Sequence, residues 1–333
     1  GTYILEARNY AEAFDDTGWG QQITQSGLQL WLKADILDLA NGAAVSSWTD
    51  ASGNGHHATQ GTTSDQPSFV ASDADFNNKP HVHFDGNDEL AIPFSADLNP
   101  NNMTVFVVAT VDSDTGTYQG IINNYTSNTG WLLYAKMSGS DNYWQVRTGT
   151  GSAQTTISAA TDSVVPNTPS IVTFQISGSD GSGGGTTVQT LSVNGVSAAT
   201  SSAVFTKKTS TSNTPIVGQV GSFQLTGQMA EVILYNRALS ALEQKQVEGY
   251  LESKYGVAAS SAWNSSNPYQ TNSEYNPKLG RTNTSDKSVR FLMRPNRVLD
   301  SRHISLFRHT PAVKAAAPQK ASSTNYLNNF YRS

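Results

Sequence analysis

The chain has 333 residues, contains no cysteine and carries a formal net charge of −5. This length allows one large domain or two smaller ones, and without cysteine neither disulfide bonds nor thiol chemistry can occur. Only 14% of the residues are charged, and no stretch approaches the roughly 20 apolar residues that cross a bilayer. The composition predicts a β-rich, loop-rich globular protein and excludes a coiled coil or a disordered chain.

The charges are unevenly distributed along the chain. Residues 276–333 hold 11 Lys and Arg residues against Asp286 and Asp300, about +9, whereas residues 1–275 hold 10 against 24 acids, about −14. An acidic body with a basic C-terminal segment predicts that this segment docks on a partner.

Short strands separated by turns are predicted over most of the chain. In residues 28–35, Leu28, Leu30 and Leu32 alternate with Gln29, Trp31 and Lys33. Met103–Val111 is nearly all apolar or β-branched, as in a strand buried on both faces. Ser170–Ser177 and residues 230–236 have strand patterns as well, and Asn194-Gly195 predicts a two-residue hairpin turn. Many short strands with Gly and Asn turns favour an all-β sandwich or jelly roll.

One helix is predicted over residues 240–255. Ser240 and Glu243 have the spacing of a capping box, and Gly256 suits the position after the last helical turn. We expect this helix to pack on the edge of the sandwich through an apolar stripe formed by Leu242, Val247, Tyr250 and Leu251.

The composition changes beyond the helix. A polar stretch containing Pro268 and Pro277 predicts an extended linker, and the basic segment that follows is too short to bury a core of its own. We therefore predict an N-terminal arm (1–25), a jelly roll (26–257) and a linker with a C-terminal anchoring arm (258–333). The residues expected to anchor this arm to neighbouring subunits are Arg290, Phe291, Arg294, Arg297, Arg302, Phe307 and Arg308.

Five segments, in this order, resemble the concanavalin A-like lectin/glucanase superfamily and more narrowly the laminin-G-like modules of bacterial and phage surface proteins. They are LWLKAD (30–35), SWTDASGNGHHATQ (47–60), HVHFDGNDEL (81–90), VFVVATV (105–111) and GQMAEVILYNRALSALEQKQVEGYLESKYG (227–256). The resemblance covers about residues 26–257 and implies an all-β, concanavalin A-like jelly roll of two antiparallel sheets, with one C-terminal helix and extended arms. It implies no activity by itself, because members bind sugars, cleave them or serve as structural modules.

Two histidine clusters raise the question of a metal site. In the family, the segment around His56 and His57 is a turn, which implies a structural role for this pair. His81, His83 and Asp85 share one strand face and have ligand chemistry suited to a divalent ion, although a solvated or hydrogen-bonded histidine face is the favoured alternative. For a Ca²⁺ ion, the one cofactor considered, the candidate ligands are Asp85, Asn87 and Asp88, with backbone bonds in a turn as the alternative.

Sugar binding would use exposed aromatic rings for stacking beside amides for hydroxyl groups. Residues 123–136 and 141–147 interleave such side chains. The glycan-binding candidates are Trp131, Tyr134, Tyr143, Trp144, Asn123 and Asn124. The alternative is that at least half of the aromatic residues fill the core.

No catalytic motif is readable. Glucanases of the superfamily resemble each other in an E-x-D-x-E strand, and no E-x-D occurs in this sequence. H-E-x-x-H and G-x-S-x-G are also absent. Because no acid/base pair can be named, we predict that the protein is not an enzyme.

These patterns predict a virion surface structural protein of the capsid-decoration type. Its jelly roll would face outward for glycan or host-surface binding, and its C-terminal arm, which faintly resembles terminal segments of tailed-phage structural proteins, would dock on other subunits of an oligomeric assembly. The alternatives are a secreted, extracellular bacterial adhesin or filament subunit that binds glycans, and a glycoside-active enzyme. Nucleic acid is not an expected partner, because the arginines are interleaved with apolar residues instead of clustered.

Overall fold

The computed structural model describes residues 23–112, 117–139, 141–179, 182–208 and 214–257, and the backbone of residues 275–276 and 281–282. The chain divides into two compact units, Gly1–Asn272 and Ser273–Ser333. Residues 1–22 of the predicted N-terminal arm and all seven predicted anchor residues, from Arg290 to Arg308, lie outside the described residues.

The described residues of the first unit form strands β1 to β18 and one α-helix, α1 (Ala241–Tyr255). In chain order the strands are β1 (Leu28–Lys33), β2 (Ser47–Trp48), β3 (Ala58–Thr59), β4 (Ser68–Asp73), β5 (Lys79–Asp85), β6 (Leu90–Ala91), β7 (Met103–Val111), β8 (Tyr118–Thr126), β9 (Thr129–Lys136), β10 (Tyr143–Gly149), β11 (Gln154–Ser158), β12 (Ser170–Ser177), β13 (Ser182–Val193), β14 (Val196–Thr206), β15 (Ile216–Val217), β16 (Gln219–Val220), β17 (Phe223–Gln224) and β18 (Thr226–Tyr235). In the second unit, β19 (Tyr275–Asn276) pairs with β20 (Arg281–Thr282).

Two antiparallel eight-stranded sheets make the sandwich. The first sheet has the order β14-β13-β12-β7-β18-β5-β4, with β1 also paired to β18, and the second has the order β11-β10-β9-β8-β15-β6-β3-β2. The predicted jelly roll of two antiparallel sheets with one helix is therefore confirmed. No helix in the described part of the chain is long and apolar enough to cross a membrane.

The main core lies between the sheets and explains the sequence of β7. Every residue of β7 is buried. Val105 and Val107 point into the main core, whereas Phe106 and Val108 belong to a second apolar cluster on the outer face of the first sheet. A strand covered on both faces has no polar alternation, as the sequence of β7 predicts.

Helix α1 covers that outer face of the first sheet rather than its edge, which corrects our expectation. Its Val247, Leu251 and Tyr255 lie in the second cluster together with Phe106 and Ile233 of the sheet. The helix packs on the face because the outward side chains of β7 and β18 are themselves large and apolar.

The ends of α1 are formed as predicted. The Ser240 N–H donates to Glu243 Oε2 at 2.9 Å and the Glu243 N–H donates to Ser240 Oγ at 3.3 Å, which completes the capping box. Gly256 has the left-handed conformation, with φ 68°. Leu242 is 53% exposed, because it precedes Val247 by five residues, which is about 140° around the helix. It is therefore not part of the apolar stripe.

A buried ionic network fastens α1 to the sheet. Glu231 of β18 is fully buried and accepts hydrogen bonds from Lys254 Nζ at 2.7 Å and Tyr255 Oη at 2.7 Å. Trp31 Nε1 donates to the same carboxylate, and Lys254 also contacts Asp35 at 2.9 Å. A buried charge is tolerated only when it is paired and hydrogen-bonded in this way.

Asn194 and Gly195 form the predicted hairpin turn between β13 and β14. Their φ angles of 50° and 75° are both positive, as a type I′ turn requires.

Candidate functional site

The three predicted Ca²⁺ ligands lie together at the end of β5 and in the turn that follows it. The Asp85 N–H donates to Asp88 Oδ2 at 2.9 Å, and the Asn87 N–H donates to Asp85 Oδ1 at 3.2 Å. Burial raises the pKa of Asp88 to about 6. Among the described residues no group of three or more His, Cys, Asp or Glu side chains is placed to hold a metal ion. The carboxylates of this turn are engaged with its backbone.

The two histidines of β5 contact different carboxylates. His81 is buried, stacks on Phe76 with ring centroids 4.9 Å apart, and places Nε2 3.0 Å from Asp73 Oδ2. Its burial lowers its pKa, against the opposing effect of Asp73. His83 Nε2 lies 3.4 Å from Asp112 Oδ2. Each imidazole is thus paired separately.

The first histidine pair belongs to a turn built on Asp50. Asp50 Oδ1 accepts from the Trp31 N–H and Oδ2 accepts from the His56 N–H, both at 2.9 Å. His57 Nδ1 accepts from the Asp50 N–H at 3.0 Å. These bonds join the loop to β1, which supports the structural role that the resemblance implied.

The six predicted glycan-binding residues divide between the two faces of the second sheet. Trp131 and Trp144 face the core and are each 1% exposed, and the Asn124 amide donates to the Leu98 carbonyl at 2.9 Å inside the protein. These three side chains cannot meet a ligand, which corrects that part of the prediction. The other three, Tyr134, Tyr143 and Asn123, lie on the outer face, because strand side chains alternate in direction.

The outer face of β8, β9 and β10 carries an aromatic surface, here called the tyrosine face. Its members are Tyr118, Tyr125, Tyr134, Tyr143 and Arg147. The antiparallel register places Tyr118, Lys136 and Tyr143 in one row across the strands, and places Tyr134 opposite Gln145 in the next row. Tyr118 and Tyr134 meet edge to face with centroids 4.7 Å apart. Tyr134 is buried beneath its neighbours, whereas the other three tyrosines are partly exposed.

A small hairpin, β16–β17, extends this surface. Its backbone rests on Gly120 of β8, where a Cβ atom would lie 2.3 Å from the Val220 nitrogen and 2.4 Å from the Phe223 oxygen. Only glycine permits this approach. The contact brings Phe223, 37% exposed, to within 5.2 Å of the Tyr118 ring centroid.

Two cations lie over the tyrosine rings. The Arg147 guanidinium stands 5.5 Å from the Tyr134 ring centroid, and its Nη2 donates to Tyr134 Oη at 3.1 Å. Lys136 Nζ lies 5.2 Å from the centroid of Tyr143. Burial raises the pKa of Tyr134 to about 12, although Arg147 acts in the opposite direction. The Tyr134 phenol therefore stays neutral at physiological pH and does not compensate the positive charge of Arg147.

Sequence reasoning missed Tyr118, Tyr125, Phe223 and Arg147. For Arg147 a signal was present, because counting in steps of two from Tyr143 places residues 145 and 147 on the same face. For Phe223 the sequence has no such signal, since it lies on a strand of two residues.

The comparisons with known proteins agree with the fold. Residues 84–243 match a laminin-G-like family model described as "Concanavalin A-like lectin/glucanases superfamily". No curated protein matches the sequence significantly.

Solved structures of similar shape include a Trypanosoma rangeli sialidase (TM-score 0.43, 14% identity, 68% of this chain and 33% of that chain). They also include the binding domain of Paraclostridial Mosquitocidal Protein 1 (TM-score 0.47, 16% identity, 69% of this chain and 52% of that chain). A third is botulinum neurotoxin type C, whose cell entry depends on interaction with two ganglioside molecules (TM-score 0.45, 12% identity, 68% of this chain and 51% of that chain). The chain thus spans about a third to a half of these proteins, and likenesses this distant concern shape alone. Over residues 84–243 the chain is thus similar to the concanavalin A-like lectin/glucanases superfamily, and this similarity agrees with the two-sheet jelly roll described above.

Proposed function

We propose that the chain is a non-catalytic glycan-binding module and that the tyrosine face is its binding surface. The observation that supports this most directly is the grouping of partly exposed aromatic rings on the outer face of the second sheet and the adjoining hairpin. Tyr118, Tyr125, Tyr143 and the neighbouring Phe223 present aromatic surface to solvent. The C–H faces of sugar rings stack on such surfaces.

Polar groups between the rings suit sugar hydroxyls. Tyr125 Oη donates to Asn128 Oδ1 at 3.0 Å and lies 3.3 Å from Gln154 Oε1, at one end of the face. Asn123 lies outward on the same strand as Tyr125. Apolar rings with a few fixed amides and hydroxyls are the usual composition of a small-ligand site.

The same surface supports binding without cleavage. Retaining hydrolysis of a glycosidic bond needs two carboxyl groups about 5–5.5 Å apart. Asp141, an exposed acid beside this surface in the described part of the chain, forms an ion pair with Lys136 at 3.7 Å. The proposed binding also requires no metal ion or other cofactor.

The module would display this face on a larger assembly, fastened by the basic segment 276–333. The charge contrast between this segment and the acidic remainder of the chain supports docking. A virion is the assembly proposed first, and a bacterial surface filament is the second.

A glycan array followed by calorimetry tests the binding proposal. Tyr143→Ala should weaken binding roughly tenfold, since one stacking contact contributes on the order of 1 kcal/mol. Tyr143→Phe, the matched control, keeps the ring and should bind as the natural protein does. Leu242→Ala removes an exposed apolar side chain from helix α1, which packs on the first sheet, and should have no effect. If the natural protein binds no glycan of a broad array, or if it cleaves one, the proposal is wrong.

A further inference from the structure

We infer that the tyrosine face selects a glycan that carries an acidic group, and that Arg147 recognises this group. The inference rests on the proposed function and adds the chemical class of the ligand. It is carried by the position and bonding of Arg147 and by the charge of its surroundings.

Arg147 is held firmly but is not paired with an acid. Tyr134 supports the guanidinium from below and accepts from Nη2, and no described residue offers the buried Nε a hydrogen-bond partner. Within the described residues Arg147 takes part in no salt bridge. Arg237 shows the contrast, because its Nη1 and Nη2 donate to both oxygens of Glu243 at 2.9 and 2.6 Å. Since a guanidinium offers five N–H donors, Arg147 retains donors for a ligand.

The neighbours of Arg147 do not neutralise it. Across the sheet it lies opposite Leu132 on β9 and Thr156 on β11, and Gln145 precedes it on the same face. All three are uncharged. Lys136, two rows away, is paired with Asp141 at 3.7 Å, so the charge of this surface comes from Arg147, while residues 1–275 as a whole carry about −14. The tyrosine face is therefore a positive surface on an acidic body, which attracts anions selectively.

An acidic sugar fits this arrangement better than a neutral one. A ring that supports a guanidinium fixes its plane, and a planar fork of N–H donors matches the oxygens of a carboxylate or sulfate. A neutral sugar stacked on the same rings would cover the charge without offering it a counter-ion. Tyr143 and Arg147 are four residues apart on β10, roughly 13 Å, so the ligand would be an oligosaccharide with its acidic group at the Arg147 end.

Matched pairs of glycans test the inference. Oligogalacturonides and their methyl esters differ in the carboxylate alone, and dextran sulfate and dextran differ in the sulfate alone. We expect the acidic member of at least one pair to bind at least about tenfold more tightly than its neutral partner. This preference should shrink as salt concentration rises. The pair of glycans that shows the preference identifies the acidic group of the ligand as a carboxylate or a sulfate.

Substitutions at Arg147 assign the preference to this residue. Arg147→Gln should abolish the preference, so that the variant binds the acidic and the neutral member equally, whereas Arg147→Lys should retain part of the preference. Lys33→Gln, the control, also removes one positive charge, but from β1 in the first sheet. Thermal unfolding of each variant verifies that it is folded. The salt dependence of the acidic preference is measured on the natural protein and so tests the inference without any variant.

The failures of the two proposals are distinguishable. Equal binding of acidic and neutral members, or an acidic preference that survives in Arg147→Gln, overturns the inference while leaving glycan binding intact. If neither member of either pair binds and the array is also negative, the proposed function itself is overturned.

Discussion

Two glutamates of α1 have opposite pKa shifts because they face opposite environments. Glu248 is 4% exposed, accepts from Thr173 Oγ1 at 2.8 Å, and burial raises its pKa to about 7. Glu243 lies at the start of the helix, where the hydrogen bonds from Arg237 and Ser240 lower its pKa to about 2. Folding thus favours the neutral form of Glu248 and the charged form of Glu243.

We expect Glu248→Gln to remove a pH dependence of stability. The folded protein favours neutral Glu248, so this stabilisation is complete below pH 4.5 and is lost as the pH rises through 7. Between pH 5 and pH 8 the free energy of unfolding should fall by about 2–3 kcal/mol, and the glutamine variant should lack this decrease. Urea denaturation at several pH values measures it.

Glu243→Gln is the control with the opposite sign. Its carboxylate stabilises the folded state above pH 4.5 and loses this effect as the pH falls towards 2. The variant should therefore be less stable than the natural protein at pH 8. If Glu248→Gln keeps the full decrease between pH 5 and 8, burial of Glu248 is not its cause.

The individual site residues were predictable only in part. Residues 131–135, WLLYA, are all apolar because the core covers one face and the β16–β17 hairpin with its neighbours covers the other. Such a run does not reveal which residues face outward. Pattern alone could therefore not separate Trp131 from Tyr134. On β10, by contrast, the polar residues Gln145 and Arg147 alternate with Trp144 and Val146 and so reveal the outward face.

At the scale of elements, the β16–β17 hairpin depends on close contact with β8. We expect Gly120→Ala to displace the hairpin, because the new methyl group would overlap the backbone of Val220 and Phe223. The free energy of unfolding should decrease by about 1–3 kcal/mol, and glycan binding should weaken as Phe223 moves away from Tyr118. Urea denaturation and calorimetry measure the two effects.

The matched control is Gly61→Ala, since a Cβ atom there would have no atom of the described residues within 4 Å. It should leave both stability and binding unchanged. Unchanged binding in a folded Gly120→Ala variant would show that the hairpin does not contribute to the tyrosine face.

Elements with a strong local signal were predicted, and those defined by tertiary contact were not. The capping box and Gly256 mark the helix in the sequence, and Asn194-Gly195 marks its hairpin. By contrast, β15, β16 and β17 have two residues each, which is too short for any periodic pattern. The position of α1 on the sheet face likewise depends on outward residues of other strands.

For the molecule as a whole, both large apolar clusters consist of residues between Ile23 and Val257. We expect a protein truncated to residues 23–257 to unfold in one cooperative transition with the stability of the full chain, as measured by calorimetry. A broad transition or a large loss of stability would show that the remaining residues belong to the same folding unit.

Removal of residues 276–333 should separate folding from docking. The shortened protein should keep its glycan binding and lose its attachment to the proposed assembly, because the basic and apolar residues of that segment would be absent. Attachment at full occupancy after the deletion would contradict the docking role.

The pairing of β1 with β18 has a mechanical consequence. Leu28, at the start of β1, lies beside Tyr235, at the end of β18. Tension applied before β1 and after β18 would therefore open the hydrogen bonds between these strands one after another instead of loading them together. Tension from the C-terminal side, however, first reaches Lys254 and Tyr255, which are bound to the buried Glu231. When flow pulls on a bound glycan while the C-terminal side is held, the sandwich would therefore unfold only after Lys254 and Tyr255 have separated from Glu231.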